Sequence, residues 1–162
     1  LAQKEVIAIR DALIKKYPEK KAVFEKNTAA YLEKLTALDK EYQAAFAGAK
    51  NRTFVTQHAA FGYLAKQYDL TQEPIAGISP DQEPSPSRLA ELKKYIKTNN
   101  VSVIYFEASA STKVAKTLAD ETGVELAVLN PLESLTQKEQ EAGENYVSVM
   151  KENLAALQKS IH

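Results

Sequence analysis

The sequence contains no cysteine, which excludes disulfides, thiolate metal ligands and cysteine nucleophiles from this chain. Its 162 residues include only five glycines and six prolines, so low-complexity segments are also excluded. No apolar run reaches the 18 residues that would predict a membrane-spanning helix. Neither sign of charge is in excess, because 21 Lys and Arg residues balance 21 Asp and Glu residues. This balance argues against nucleic acid as a partner.

The composition that remains is typical of a globular domain, with 44% hydrophobic and 26% charged residues. A chain of this length can bury a core without covalent cross-links. The sequence starts at Leu1, inside a helical pattern and without a methionine. We therefore expect a mature form, a fragment or an excised domain.

The first third of the chain has apolar residues at helical spacing. A first helix is predicted to end near Pro18, and a second helix of about 30 residues is predicted over 18–47. At 1.5 Å per residue the second helix would be about 45 Å long. It is either an ordinary packing helix or a rigid spine that extends past this domain to another lobe.

After Arg52 four short apolar runs alternate with helical patterns. Strands are predicted over 53–56, 74–78, 101–106 and 125–129, and helices over 59–68, 85–97, 112–122 and 139–160. Gly123 is predicted to end the helix before the fourth strand. The alternation predicts an α/β fold with a four-stranded parallel sheet flanked by helices.

Polar side chains follow each predicted strand. His58 follows the first strand, residues 79–83 the second, Glu107 the third and Glu133 the fourth. Ligands of open parallel sheets bind at the carboxyl ends of the strands, so these groups are expected to converge there. An imidazole and carboxylates that face one point can form half of a divalent-cation site.

Each of these residues also has a simpler interpretation. His58 is consistent with a helix N-terminal residue held by a local hydrogen bond, and Glu133 with a solvated loop carboxylate. Glu107 is consistent with a residue that caps the helix near Thr112. A small enzyme with Glu107 and Glu133 as an acid–base pair is a further alternative. Neither a glycine-rich phosphate loop nor a G-x-S-x-G motif is present.

Four segments occur in the order found in one known family. They are residues 53–65, 77–86, 103–107 and 129–134. Together they resemble the zinc/manganese substrate-binding lipoproteins of bacterial ABC importers, a family that includes streptococcal zinc-binding and laminin-binding adhesins. The resemblance covers nearly the whole chain. It implies the C-terminal lobe of a two-lobe periplasmic-binding-protein-like fold, with a helical segment over 1–50 that includes the interlobe helix and a metal-binding α/β lobe over 51–162.

The resemblance also implies the roles of three residues. His58 and Glu133 would be two of four metal ligands, Glu107 would support them from beside the site, and the N-terminal lobe with the other two ligands would be missing. The implied function is capture of zinc outside the cell, without catalysis, for an ABC permease. The full-length protein would be lipid-anchored to the membrane. Manganese-type relatives carry a carboxylate at the position of His58, so an imidazole there favours Zn²⁺ over Mn²⁺.

Two alternative functions and two structural expectations complete the prediction. Adhesion to a host extracellular-matrix protein such as laminin is the alternative function, and manganese uptake is the alternative within transport. Without the other lobe, apolar residues of the first two helices, among them Val6, Ile9, Leu13 and Val23, are expected to be exposed. Because contiguous apolar surface promotes association, we expect the chain to form dimers or to exchange helices.

Overall fold

The structure is a computed structural model that describes residues 1–79, 83–107 and 111–162. The chain forms two compact units, Leu1–Ala44 and Ala45–His162. Each unit has its own internal contacts.

The first unit is helical. It contains α1 (Ala2–Lys16), a 3-10 turn at Pro18–Lys20, and most of α2 (Lys21–Phe46). Gln3 Nε2 donates to Thr36 Oγ1 at 3.0 Å and so connects α1 to α2. The helix predicted over 18–47 thus begins with a 3-10 turn, and its α-helical part has 26 residues, about 39 Å. Ile9 and Val23 are exposed on these helices, whereas Val6 and Leu13 are half-buried.

The second unit contains a four-stranded parallel sheet, which confirms the predicted fold class. Its strands are β1 (Thr53–Thr56), β2 (Thr71–Pro74), β3 (Val103–Phe106) and β4 (Glu125–Val128), in the spatial order β2-β1-β3-β4. The helices of this unit are α3 (Gly62–Gln67), α4 (Pro86–Thr98), α5 (Lys113–Thr122), α6 (Gln137–Glu141) and α7 (Tyr146–Leu157).

The core lies on both faces of the sheet, because successive side chains of a strand point to opposite faces. One face packs Ile104 of β3 together with Leu92 of α4 and Leu118 of α5. On β3 the next residue, Tyr105, donates its hydroxyl to the Ala156 carbonyl of α7 at 2.8 Å. Fully burying a large aliphatic side chain contributes about 1.5–3 kcal/mol. Helices thus pack on both faces of the sheet, and the carboxyl ends of its strands remain available to carry a site.

Two predicted elements were wrong. The second strand lies over Thr71–Pro74 instead of 74–78, because it is an edge strand with polar residues and so lacks an apolar signal. Part of the apolar run after it does not enter the core, since Ile78 is 87% exposed. The helix predicted over 139–160 is instead two helices, because Gly143 has a φ of +79° and Asn145 caps a new helix through the N–H groups of Val147 and Ser148.

In the described parts of the chain, none of the helices has the length and apolar character needed to cross a membrane.

Candidate metal centre

The strand order brings three loops together at one edge of the sheet. The chain leaves β1 for β2 on one side and then returns to β3 on the other side of β1. The carboxyl ends of strands at such a switch point form a crevice in which ligands bind. His58 follows β1, Glu107 follows β3 and Glu133 lies in the loop after the adjacent β4.

His58 lies between the two carboxylates. Its Nε2 atom is 3.4 Å from Oε1 of Glu133, and its Nδ1 atom contacts Oε1 of Glu107. One potential ligand atom from each of the three residues lies within 4.8 Å of the other two. The side chains of His58 and Glu107 are buried, whereas that of Glu133 is 64% exposed. The site is therefore closed on the protein side and open towards solvent at Glu133.

The contact between His58 and Glu107 is the main electrostatic feature of the site. Burial raises the pKa of the Glu107 carboxyl above its usual range; His58 opposes this rise, and Glu133 adds to it. Nδ1 of His58 and Oε1 of Glu107 contact each other. Among the described residues, neither atom has a further hydrogen-bond partner. A carboxylate that accepts from Nδ1–H leaves the lone pair on Nε2, the nitrogen that faces Glu133.

A network centred on Gln72 holds the backbone around His58. The Gln72 side-chain amide, on the neighbouring β2, donates to Thr56 Oγ1 at 2.7 Å and to the His58 carbonyl at 2.9 Å. The Thr56 hydroxyl donates to the same carbonyl at 2.8 Å, and Phe61 N–H donates to Gln72 Oε1 at 3.2 Å. The turn after β1 is therefore fixed at three points by one side chain.

Gln57 connects this turn to the loop after β3. Its Nε2 atom donates to the Ser111 carbonyl at 2.9 Å, and its Oε1 atom accepts from Glu107 N–H at 3.4 Å. The loops that carry His58 and Glu107 are thus joined side by side.

The loop after β4 is fixed from α7. Asn153 and the backbone of Asn130 exchange two hydrogen bonds, of 2.8 and 2.7 Å. The Asn130 side chain in turn accepts from Leu132 N–H at 2.8 Å. Leu132 has a φ of +63°, in the left-handed region that a leucine rarely adopts. Glu133 is the next residue, so the backbone conformation of Leu132 sets the direction in which the chain enters Glu133.

The donor set of the site suits a divalent cation. Imidazole nitrogen and carboxylate oxygen bind Zn²⁺ at 2.0–2.2 Å, and two such ligands of a tetrahedral ion lie about 3.4 Å apart. The distance between Nε2 of His58 and Oε1 of Glu133 is 3.4 Å. These two atoms could therefore bind one ion without rearrangement, while Glu107 remains on the other nitrogen of the imidazole.

The three residues singled out from the sequence are thus brought together: His58, Glu107 and Glu133. Of the candidate segment 79–83, Ser79 and Glu83 are exposed, and residues 80–82 lie outside the described residues.

Sequence reasoning missed Gln72, because the second strand was misplaced. It also missed Asn153, although this carboxamide occurs on α7 four residues from both Val149 and Leu157, on the buried face. A polar residue at that spacing is a signal that could have been read.

Comparison with known proteins identifies one family. The family described as "ZnuA: Zinc-uptake complex component A periplasmic" matches residues 1–160. The chain is 57% identical over 159 residues to the zinc-binding lipoprotein AdcA of Streptococcus pneumoniae, covering 98% of this chain and 32% of that protein.

Two solved structures give the same result at the level of the fold. The Zn(II)-bound ZnuA-like domain of Streptococcus pneumoniae AdcA matches with a TM-score of 0.81 at 57% identity, over 94% of this chain and 57% of that one. The laminin-binding protein Lbp of Streptococcus pyogenes matches with a TM-score of 0.91 at 35% identity, over 99% of this chain and 62% of that one. The chain thus spans about a third of the curated relative and about three-fifths of the solved chains.

Proposed function

The chain belongs to the ZnuA family of periplasmic zinc-uptake components, and from this premise we propose that it binds Zn²⁺ as the cargo of an ABC importer. In this role the protein captures zinc outside the cell and delivers it to a permease in the membrane. Zinc is transported and not transformed, so the chain needs ligands and no catalytic group.

The observation that carries this proposal is the 3.4 Å distance between Nε2 of His58 and Oε1 of Glu133. We infer that these two atoms are zinc ligands. Glu107 acts from behind the ring, where it accepts from Nδ1–H, orients the imidazole and makes Nε2 a better donor. Carboxylates that contact the second nitrogen of a ligating histidine are a common feature of zinc sites.

His58 also favours zinc over manganese. An imidazole nitrogen is a softer donor than a carboxylate oxygen, and Mn²⁺ prefers oxygen ligands. By affinity alone Cu²⁺ and Ni²⁺ would compete with Zn²⁺ at a nitrogen-containing site. The imidazole therefore selects zinc only against Mn²⁺ and other hard cations.

Two protein ligands make only part of a transport site, since zinc takes about four. We infer that further ligands come from the portion of the longer relatives that this chain does not cover. In such a protein, residues 51–162 would form the metal-binding lobe and residues 1–50 would carry the interlobe helix. The lipoprotein relative supports a lipid anchor at the outer face of the membrane for the whole protein.

Zinc titration of the chain tests the proposal. We expect the 162-residue chain to bind one Zn²⁺ with micromolar-class affinity in competition with a chromophoric chelator, and to bind Mn²⁺ more weakly. The variant Glu5→Gln, which removes a carboxylate of α1, serves as a matched control and should bind zinc as the wild type does. No zinc binding in the wild type, or equal binding after His58→Ala, would contradict the proposal.

Adhesion is a second candidate, favoured by the similarity to a laminin-binding protein. Solid-phase binding of the chain to laminin, with and without zinc, tests it directly. Saturable binding that survives both His58→Ala and chelation would indicate an adhesive surface separate from the metal centre.

A further inference from the structure

Asn153 is a buried carboxamide in the middle of α7. It is 3% exposed and occurs among apolar residues of the helix, with Val149 one turn before it and Leu157 one turn after it. A buried polar side chain is destabilising unless it is hydrogen-bonded. Its hydrogen-bond partners therefore show which part of the molecule Asn153 holds in place.

Both ends of the Asn153 amide pair with the backbone of Asn130, and its Nδ2 group also contacts Met150 Sδ at 3.9 Å. Its Oδ1 atom accepts from the Asn130 N–H at 2.8 Å, and its Nδ2 group donates to the Asn130 carbonyl at 2.7 Å. This exchange resembles the pairing that a neighbouring strand would give. It fixes the orientation of both peptide groups of Asn130, two residues beyond the end of β4.

From Asn130 the constraint passes to Glu133. The Asn130 side chain accepts from Leu132 N–H at 2.8 Å, and this bond closes the turn that contains Pro131. Leu132 has a φ of +63°, a conformation that persists only where the surroundings hold it. Because the Glu133 side chain is 64% exposed, its position depends chiefly on the backbone of this turn.

We propose that Asn153 is a positioning residue for the metal site: through the backbone of Asn130 it holds the turn that places the Glu133 carboxylate 3.4 Å from His58. The inference rests on the proposed zinc function. The C-terminal helix α7 supplies none of the three residues of the site. Through Asn153 it would nevertheless contribute to zinc affinity.

A double-mutant cycle tests the assignment. Asn153→Leu keeps the number and branching of the side-chain heavy atoms and removes both hydrogen bonds to Asn130. Zinc affinity is then measured by NMR titration with and without Glu133→Ala. We expect Asn153→Leu to weaken zinc about tenfold when Glu133 is present, as is typical of supporting residues around metal ligands. In the Glu133→Ala background, Asn153→Leu should weaken zinc affinity by less than about threefold, because the carboxylate that Asn153 positions is absent.

The matched control is Ser160→Ala. It removes a buried hydroxyl that contacts Tyr105 Oη at 2.8 Å, on the C-terminal segment but away from the turn at 130–133. We expect this variant to lose stability and to keep zinc affinity within about twofold of wild type. If Ser160→Ala and Asn153→Leu lost zinc affinity equally, the loss in Asn153→Leu would be explained by general destabilisation of the fold. That result would overturn the proposal.

A second measurement does not depend on zinc or on the leucine variant. Asn153→Asp keeps the acceptor for Asn130 N–H but places a carboxylate oxygen against the Asn130 carbonyl. Amide hydrogen exchange of Asn130 and Leu132 in the zinc-free proteins should be slow in wild type and markedly faster in Asn153→Asp. Fast exchange in both would overturn the proposal.

The two proposals fail in different ways. A wild-type chain that does not bind zinc contradicts the proposed function, while the exchange measurement still decides whether Asn153 holds the turn. A wild-type chain that binds zinc, with unchanged affinity in Asn153→Leu, contradicts only the role of Asn153. Equal fold losses in the presence and absence of Glu133 likewise contradict only that role.

Discussion

Glu107 contacts Nδ1 of His58 and so leaves Nε2 as the nitrogen available to a metal ion. Both side chains are buried, so the imidazole has little freedom to turn. A histidine that is free in solution must be fixed in both tautomer and orientation when it binds a metal. Here the fold has already fixed both, which lowers the cost of binding.

The two proposed ligands should differ in their contribution. His58→Ala removes the nitrogen donor, and we expect zinc affinity to fall strongly. Glu133→Gln should weaken zinc less, because the amide oxygen can still approach the metal although it carries no charge. Chelator-competition titrations measure both. The reverse order of the two losses would contradict the ligand roles assigned here.

Changing the nitrogen donor to oxygen should change which metal is preferred. We expect His58→Glu to reduce zinc affinity and to raise the ratio of manganese to zinc affinity, since Mn²⁺ prefers oxygen ligands. Parallel zinc and manganese titrations check this. Glu133→Asp, which keeps an oxygen donor, is the control and should leave the preference for zinc intact. An unchanged ratio in His58→Glu would argue against a role for residue 58 in selectivity.

Glu107 should act through the imidazole. Glu107→Ala leaves Nδ1 of His58 buried without an acceptor, and we expect zinc affinity to fall by about 10-fold to 100-fold. Glu107→Gln can still accept from Nδ1–H and should retain part of the affinity. Nitrogen-15 NMR of the His58 ring reports which nitrogen carries the proton. If Glu107→Ala kept both the wild-type tautomer and the wild-type affinity, the positioning role would be wrong.

Gln72 should stabilise the turn that carries His58. Gln72→Leu removes the donor to the His58 carbonyl and the acceptor of Phe61 N–H. We expect a loss of about 1–3 kcal/mol in the free energy of unfolding, together with faster amide exchange at Phe61. Chemical denaturation and NMR measure the two effects. Gln43→Leu, at an exposed glutamine of α2, should stay within about 0.5 kcal/mol of wild type.

Tyr105 should make the fold sensitive to alkaline pH. Burial raises the pKa of Tyr105 to about 12, against the opposing hydrogen bond with Ser160. Between about pH 10 and 12 the unfolded chain loses this proton and the folded chain keeps it, so the free energy of unfolding falls as pH rises. The total loss over the transition is about 2–3 kcal/mol, and most of it falls between pH 10 and 12.

Urea denaturation across this pH range measures the effect. Tyr105→Phe should show a smaller decline in stability between pH 10 and 12 than wild type. Tyr63→Phe, at a side chain that is 78% exposed, serves as the control and should decline as wild type does. Equal slopes for wild type and Tyr105→Phe would contradict the assignment.

The parallel α/β fold could be predicted because its signals are local. The apolar run of β3 indicates a buried strand, and Gly123, whose φ is +72°, marks the end of α5 as expected. The edge strand β2 was misplaced because Gln72 and Glu73 give it no apolar signal. The break at Gly143 was missed because one glycine within a helical pattern is often tolerated.

For the candidate site, the sequence indicated which residues meet but not how they are held. His58, Glu107 and Glu133 each follow a strand, and the rule for parallel sheets places such residues together. The roles of the two imidazole nitrogens depend on side-chain orientation, which no spacing encodes. The same holds for Gln72 and Asn153, whose partners are backbone groups far away in sequence.

The three residues of the site come from three separate strand-to-helix connections, and only the assembled sheet brings them together. In the unfolded chain they are far apart, so the unfolded state offers zinc no comparable set of ligands. Zinc should therefore shift the folding equilibrium by mass action, adding about 2.7 kcal/mol at a free concentration one hundred times the dissociation constant. Pairing of β1, β3 and β4 involves contacts of high sequence separation, which form slowly. Zinc capture by a newly made chain can then proceed no faster than its sheet assembles, so metal occupancy becomes a measure of completed folding.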